Sequence, residues 1–176
     1  MFIPGFIISI LTFPGVIVHE FAHQFFCWLY GVPVKKVVYF QFANPSGYVV
    51  HEPTETDWQN IMIGTGPFVV NTIIGAVIAL PAALPVFTFH NASPLDYILI
   101  WLGVSIVMHA FPSTGDAKSI WASLKQGETT LLAKIIGYPI IGIIYLSAAA
   151  RFFWFDFIYA SAVCVGLPKL LVAIFA

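Results

Sequence analysis

Charge is what this sequence has least of. Only 9% of its 176 residues are charged, where soluble domains carry about 25%. A chain so poor in charge cannot clothe a globular surface in water. Its 60% hydrophobic content and mean hydropathy of +0.93 point to an integral membrane protein. The net charge of −1 argues against nucleic acid as a partner, and none is expected. Cysteine is scarce too. Cys27 and Cys164 stand alone in apolar stretches and read as small buried hydrophobes, neither a C-x-x-C nor a disulfide. Internal repeats and low-complexity segments are also missing, and the length suits one domain of several helices. Residues 1–18 lack a basic n-region and a small-residue cleavage site, so they are expected to stay as part of a membrane span.

Against this background one polar constellation stands out: His19-Glu20-Phe21-Ala22-His23, a complete H-E-x-x-H. On a helix the two histidines lie one turn apart on one face, where both imidazoles can bind one zinc ion. Glu20 projects beside them in the position of a general base. In a soluble helix the same five residues could be ordinary surface. Within an apolar span, two imidazoles and a carboxylate cost several kcal/mol unless paired or metal-bound, which makes them a functional site by default.

The rest of the chain predicts a mainly α membrane protein of about five transmembrane helices, with a short membrane-associated β-hairpin after the first. The first span runs from about Phe2 to Tyr30 and should kink at Pro14-Gly15. Val34 to Phe42 and Tyr48-Val49-Val50 are strand-forming around the turn Asn44-Pro45-Ser46-Gly47, which predicts the hairpin. Its edge is either a pairing site for an extended substrate or a plain connector. The second span, about Trp58 to Leu80, contains Gly66-Pro67-Phe68-Val69-Val70-Asn71; Asn71 either braces helices or holds substrate. Pro81 to Pro94 reads as a loop. The third span, about Leu95 to Phe111, breaks at Pro112-Ser113-Thr114-Gly115-Asp116. Asp116 reads as an N-cap, as a third zinc ligand, or as both, with His109 the alternative ligand or a polar brace. Ala117 to Lys134 reads as an amphipathic interfacial helix, its polar side including Gln126 and Glu128. Ile135 to Ala150 and Phe157 to Ala176 read as a closing helical hairpin, with Arg151–Asp156 an interfacial charge pair at its turn. The whole chain is one domain: residues 1–125 a three-helix core, 126–176 the hairpin.

Basic residues set the expected orientation. With the N-terminus outside, five spans bring Lys35, Lys36, Lys118, Lys125, Lys134 and Lys169 to the cytoplasmic side and leave only Arg151 outside. The active site then lies nearer the cytoplasmic face.

Taken in order, these elements resemble the site-2 protease family of intramembrane zinc metalloproteases. The carriers are the first-helix H-E-x-x-H, a hairpin ending in Gly47-Tyr48-Val49-Val50, the G-P-x-x-N-like Gly66 to Asn71, and an aspartate after a proline break. His109 stands where the family usually has Asn, Ala117 follows the aspartate where Gly is usual, and the proline-to-aspartate spacing is one residue shorter. The resemblance is thus to a divergent, minimal member without a PDZ domain. It implies zinc held by His19, His23 and Asp116, with Glu20 activating water. Asn71 would bind substrate backbone, as would the strand at Gly47, Tyr48 and Val49, and His109 would stand behind the ligands. The partners implied are a membrane protein or peptide substrate and the lipid bilayer. The alternative is a non-catalytic homologue that binds clients and keeps the metal for folding, although such a protein has no need of Glu20.

Overall fold

The computed structural model describes residues 5–125 and 129–175, which form eight α-helices and one two-stranded hairpin. Helices α1 (Gly5–Leu11) and α2 (Phe13–Leu29) meet at Thr12 in a bend of 91°. The break therefore precedes the expected kink at Pro14-Gly15 and is far sharper. Proline lacks an N–H and collides with the carbonyl one turn back, so Pro14 is tolerated where it lies, in the first turn of a new helix. The Thr12 hydroxyl donates to Ile8 O (2.6 Å), and Trp101 Nε1 donates to Leu11 O (3.2 Å), fastening the corner.

Strands β1 (Val34–Val38) and β2 (Tyr48–His51) pair antiparallel, with Val38 opposite Tyr48 and Val34 opposite His51. The hairpin lies where the sequence puts it, and Tyr39 Oη donating to Gln24 Oε1 ties it to α2.

Helix α3 (Asp57–Leu84) is the central post, packed by α2, α4, α5, α8 and the π-helical turn that precedes α8. A capping box at Thr56 and Gln59 starts it, satisfying two of the free amides at its N-terminus. It does not stop at Pro81. It continues into a π-helical turn over Pro85–Phe89, leaving only residues 90–93 of the expected loop. In an apolar environment every backbone group needs a partner, so a helix that loses one bond at a proline still outcompetes an open loop.

Helices α4 (Pro94–Met108) and α5 (Thr114–Lys125) run back along α3, separated by the break at residues 109–113. In α5, Ala117, Ile120 and Leu124 are buried while Lys118 and Trp121 face outward. Helix α5 covers the expected amphipathic segment as far as Lys125; Gln126 and Glu128 lie outside the described residues, and Leu131 to Lys134 belong to the next helix. Helix α6 (Leu131–Ala150) packs on α5, with Trp121 against Tyr138. After a 3-10 turn at Arg151–Phe153 come α7 (Phe155–Ser161) and, through a π-helical turn, α8 (Leu167–Phe175).

The last pair of apolar segments is not folded back as a hairpin. Ser123 reaches Asp57, and Asn60 bonds Ser119, so α5 runs opposite to α3. The Gly137 Cα faces Leu124 and Arg151 reaches Phe111, so α6 runs opposite to α5. Tyr159 meets Thr72, Cys164 faces Gly75 and Lys169 lies over Phe87, so α7 and α8 continue in the sense of α3. Three amino acids of 3-10 turn, closed by Trp154 at φ 61°, bend the chain without reversing it.

Among the described residues three segments are long and apolar enough to cross a membrane, Asp57–Phe89, Leu131–Phe153 and Phe155–Phe175; the α1–α2 pair, bent by 91°, is a fourth only when its two helices are counted as one span, and Pro94–Met108 is apolar but shorter. Large apolar side chains such as Ile73, Val77, Ile143 and Leu146 are exposed along them, as expected of surfaces that meet lipid. The chain is a mainly α membrane protein.

Candidate metal centre

Helix α2 places His19 and His23 on the face it turns to α3 and α4. His19 Nδ1 lies 2.6 Å from His109 O, and His23 Nδ1 lies 2.9 Å from Ile63 O. A carbonyl only accepts, so both Nδ1 atoms carry the proton and both Nε2 atoms keep their lone pair. Those two Nε2 atoms face each other at 3.2 Å. Two lone pairs at that separation repel unless a cation stands between them.

Asp116 completes the group. The break after α4 brings it beside α3, its Cβ 3.7 Å from the position a Gly64 side chain would take. Its Oδ2 accepts from Ser113 N and Oγ, both at 2.7 Å, capping α5, while Oδ1 lies 3.5 Å from His23 Nε2. Asp116 is therefore the third residue of α5 and not its N-cap: Ser113 takes that place, its Oγ accepting from Gly115 N (3.1 Å) and Asp116 N (3.2 Å), and Asp116 reciprocates through Oδ2 while Oδ1 stays free for a metal.

His19, His23 and Asp116 offer donor atoms that all lie within 4.8 Å of one another. Tetrahedral zinc with bonds of 2.0–2.1 Å spaces its ligand atoms about 3.4 Å apart, and the 3.2 and 3.5 Å separations bracket that value. Two neutral imidazoles and one carboxylate match the ligand set of catalytic zinc, which keeps a fourth position open. The carbonyls behind each histidine are the outer partners that fix ring orientation and tautomer.

Glu20 is 93% buried beside the histidines. A Cβ on Gly47 would fall 2.7 Å from Glu20 Cγ and 3.0 Å from its Oε1, so the entry to β2 lies directly against this carboxylate. A cavity of about 740 Å3 opens over the group, bordered by His19, Glu20, His23, Asp116 and the strand residues Gly47, Tyr48 and Val49.

The other residues singled out in the sequence take the following places. Asn71 is fully buried, and its Nδ2 is shared among Gly15 O (3.2 Å), Ile106 O (3.0 Å) and His109 O (3.3 Å). It does not border the cavity; its amide braces α2, α3 and α4, which is the bracing alternative of the two the sequence offers. The His109 ring bonds Thr12 Oγ1 (2.8 Å) and stays out of the metal group; it stands behind the ligands through its backbone carbonyl. Arg151, Trp154 and Asp156, from the stretch the sequence places at an outer turn, border the cavity instead, as does Phe157 just beyond it. Arg151 Nε lies 2.8 Å from Asp156 Oδ2, and Nη2 donates to Phe111 O at 3.1 Å. Their spacing carries no motif; only the tertiary path of α6 and α7 reveals them.

No curated protein and no solved structure matches this chain. A family model described as "Putative zincin peptidase" matches residues 12–131, which span the H-E-x-x-H, the hairpin, α3 and the break that carries Asp116. The chain belongs to that family of zinc metallopeptidases.

Proposed function

We propose that this protein is an intramembrane endopeptidase of the site-2 protease type, cleaving peptide bonds of membrane-spanning substrates. The observation that carries the reading is the convergence of His19, His23 and Asp116, with Glu20 beside them, inside a bundle of apolar helices.

The residues divide the work. His19, His23 and Asp116 would hold the ion, and zinc bound there would supply a Lewis acid that acidifies water and polarises a carbonyl. Glu20 takes the proton from the attacking water and returns it to the leaving amine. Its burial beneath Gly47 keeps the carboxylate out of bulk water and beside the strand on which a substrate would pair. A helical substrate has its amides and carbonyls bonded to one another and must unwind to react. Main-chain pairing with β2 at Tyr48 and Val49, which border the cavity, offsets that cost.

Lys35, Lys36, Lys125 and Lys134 belong to the elements at the end of the bundle where α3 begins, whereas Lys169 lies near Phe87 at the other. By the positive-inside rule that bias supports an orientation with the α3 start on the cytoplasmic side. Asp116 lies level with Gly64, seven residues from Asp57, so the centre is about 10 Å along the helix from that end.

The test is proteolysis in proteoliposomes of a panel of single-span membrane proteins, wild type beside Glu20→Gln. Cleavage by wild type alone, with zinc retained by both proteins, supports the reading. Equal cleavage by both, or none of any panel member by a zinc-loaded wild type, overturns it in favour of client binding.

A further inference from the structure

The segment that delivers Asp116 is not helical, so something other than a helix must hold it in place. Residues 109–113 join α4 to α5 at the depth of the metal group. Three anchors fix this segment at alternate residues. His109 O accepts from His19 Nδ1 and Asn71 Nδ2. Phe111 O accepts from Arg151 Nη2. Ser113 donates to Asp116 Oδ2 through both its amide and its hydroxyl. The first and third come from within the stretch that matches the family; the middle one comes from beyond it, at the junction of α6 and α7.

The middle anchor is built on two sides. The Phe111 ring is buried against Phe68, Phe155 and Tyr159, at centroid distances of 5.4, 5.2 and 4.9 Å. Its carbonyl is held by a guanidinium that Asp156 orients from the next turn. An arginine suits this place because its planar fork meets a carboxylate and a carbonyl at once, which an ammonium does not do with the same geometry. The pair also borders the same cavity as the ligands, so its charges face the site and not the lipid.

We propose that Arg151, oriented by Asp156, is a positioning residue for the metal centre: by clamping the Phe111 carbonyl it sets the course of residues 109–113 and so the approach of Asp116 to His23. The proposal rests on Asp116 being the third zinc ligand. It assigns to the C-terminal helices a part in zinc binding, beyond filling the bundle.

The experiment is a cycle of zinc affinities on the full-length chain in detergent, by competition with a chelator, with the melting temperature of each zinc-free protein measured alongside. Arg151→Met is combined with Asp156→Leu, so that the pair leaves together and no buried charge is stranded. The expected result is zinc affinity lower by about tenfold, the scale of a lost outer partner. In an Asp116→Ala background the same double change should cost nothing further. Arg151→Lys, which keeps the charge and the pairing, should lose an intermediate amount and serves as the folded control if the double variant fails to fold. Unchanged affinity in the double variant or, if that does not fold, in Arg151→Lys overturns the clamp. So does an equal loss with and without Asp116, since a general stabiliser would act in both backgrounds. Wild-type affinity in Asp116→Ala alone would instead overturn the ligand assignment beneath it.

Discussion

At the scale of single residues, the site works by leaving the right atoms free. Each histidine spends its Nδ1 proton on a backbone carbonyl, and Asp116 spends Oδ2 on the α5 cap, so Nε2, Nε2 and Oδ1 remain for the metal. Asp116→Ala removes the charged ligand and should weaken zinc binding at least tenfold while the fold persists, measured by metal content after dialysis against a weak chelator. Glu20→Gln removes the proposed base without touching a proposed ligand; turnover should fall by about 10²–10⁴ with zinc stoichiometry unchanged. Gly47 offers a sharper probe. Any Cβ there meets Glu20 Cγ at 2.7 Å and Tyr39 O at 2.9 Å, so Gly47→Val must displace the carboxylate or the strand. Activity should drop as it does in Glu20→Gln, with zinc retained. The H-E-x-x-H was legible in the sequence because helical periodicity alone brings its residues together. Asp116 was legible as a candidate because a proline break announces a helix start. Asn71 was visible as a buried polar group, but nothing in its spacing tells a brace from a substrate contact; only the three carbonyls around its amide do.

At the scale of elements, the centre depends on how closely α2 approaches α4. A side chain on Gly15 would place its Cβ 2.0 Å from Ser105 O and 2.5 Å from the His109 ring. Gly15 O is also one of the three carbonyls that Asn71 gathers. Gly15→Val must therefore separate α2 from α4, at about 1–3 kcal/mol of overpacking strain. Because His19 is one turn onward and bonded to His109 O, zinc affinity should fall with stability. A thermal melt paired with metal analysis checks both, and a variant that loses stability yet keeps full affinity would separate the two. The hairpin and the α4–α5 break were readable from turn residues and strand formers. The extension of α3 through Pro81 was not, because proline signals a stop only where water can satisfy the freed carbonyl.

At the scale of the whole molecule, the bundle is arranged so that two interruptions meet. The break between α4 and α5 and the break between α6 and α7 lie side by side, joined by Arg151 and Phe111 O, and the cavity opens against both. Hydropathy reported the apolar stretches but not their direction, since a bend and a reversal have the same composition; the absence of a hairpin at Arg151 became visible only through the order of contacts along α3. Such an assembly draws ligands and their supports from α2, α3, the α4–α5 break and, through Arg151, the α6–α7 turn, so zinc binds the folded bundle and has no preformed site in the unfolded chain. Binding should then stabilise the whole fold. At free zinc a thousandfold above its dissociation constant the gain is about 4 kcal/mol, which for a chain of this size raises the melting temperature on the order of 10 °C. Tryptophan fluorescence can follow the melt, since Trp58, Trp101, Trp121 and Trp154 are distributed over α3, α4, α5 and the α6–α7 turn. Chelation should lower the transition by that amount, added zinc should restore it, and His19→Ala should abolish the difference. A melting temperature indifferent to zinc in the wild type would mean that the histidines and Asp116 hold no ion in the folded protein.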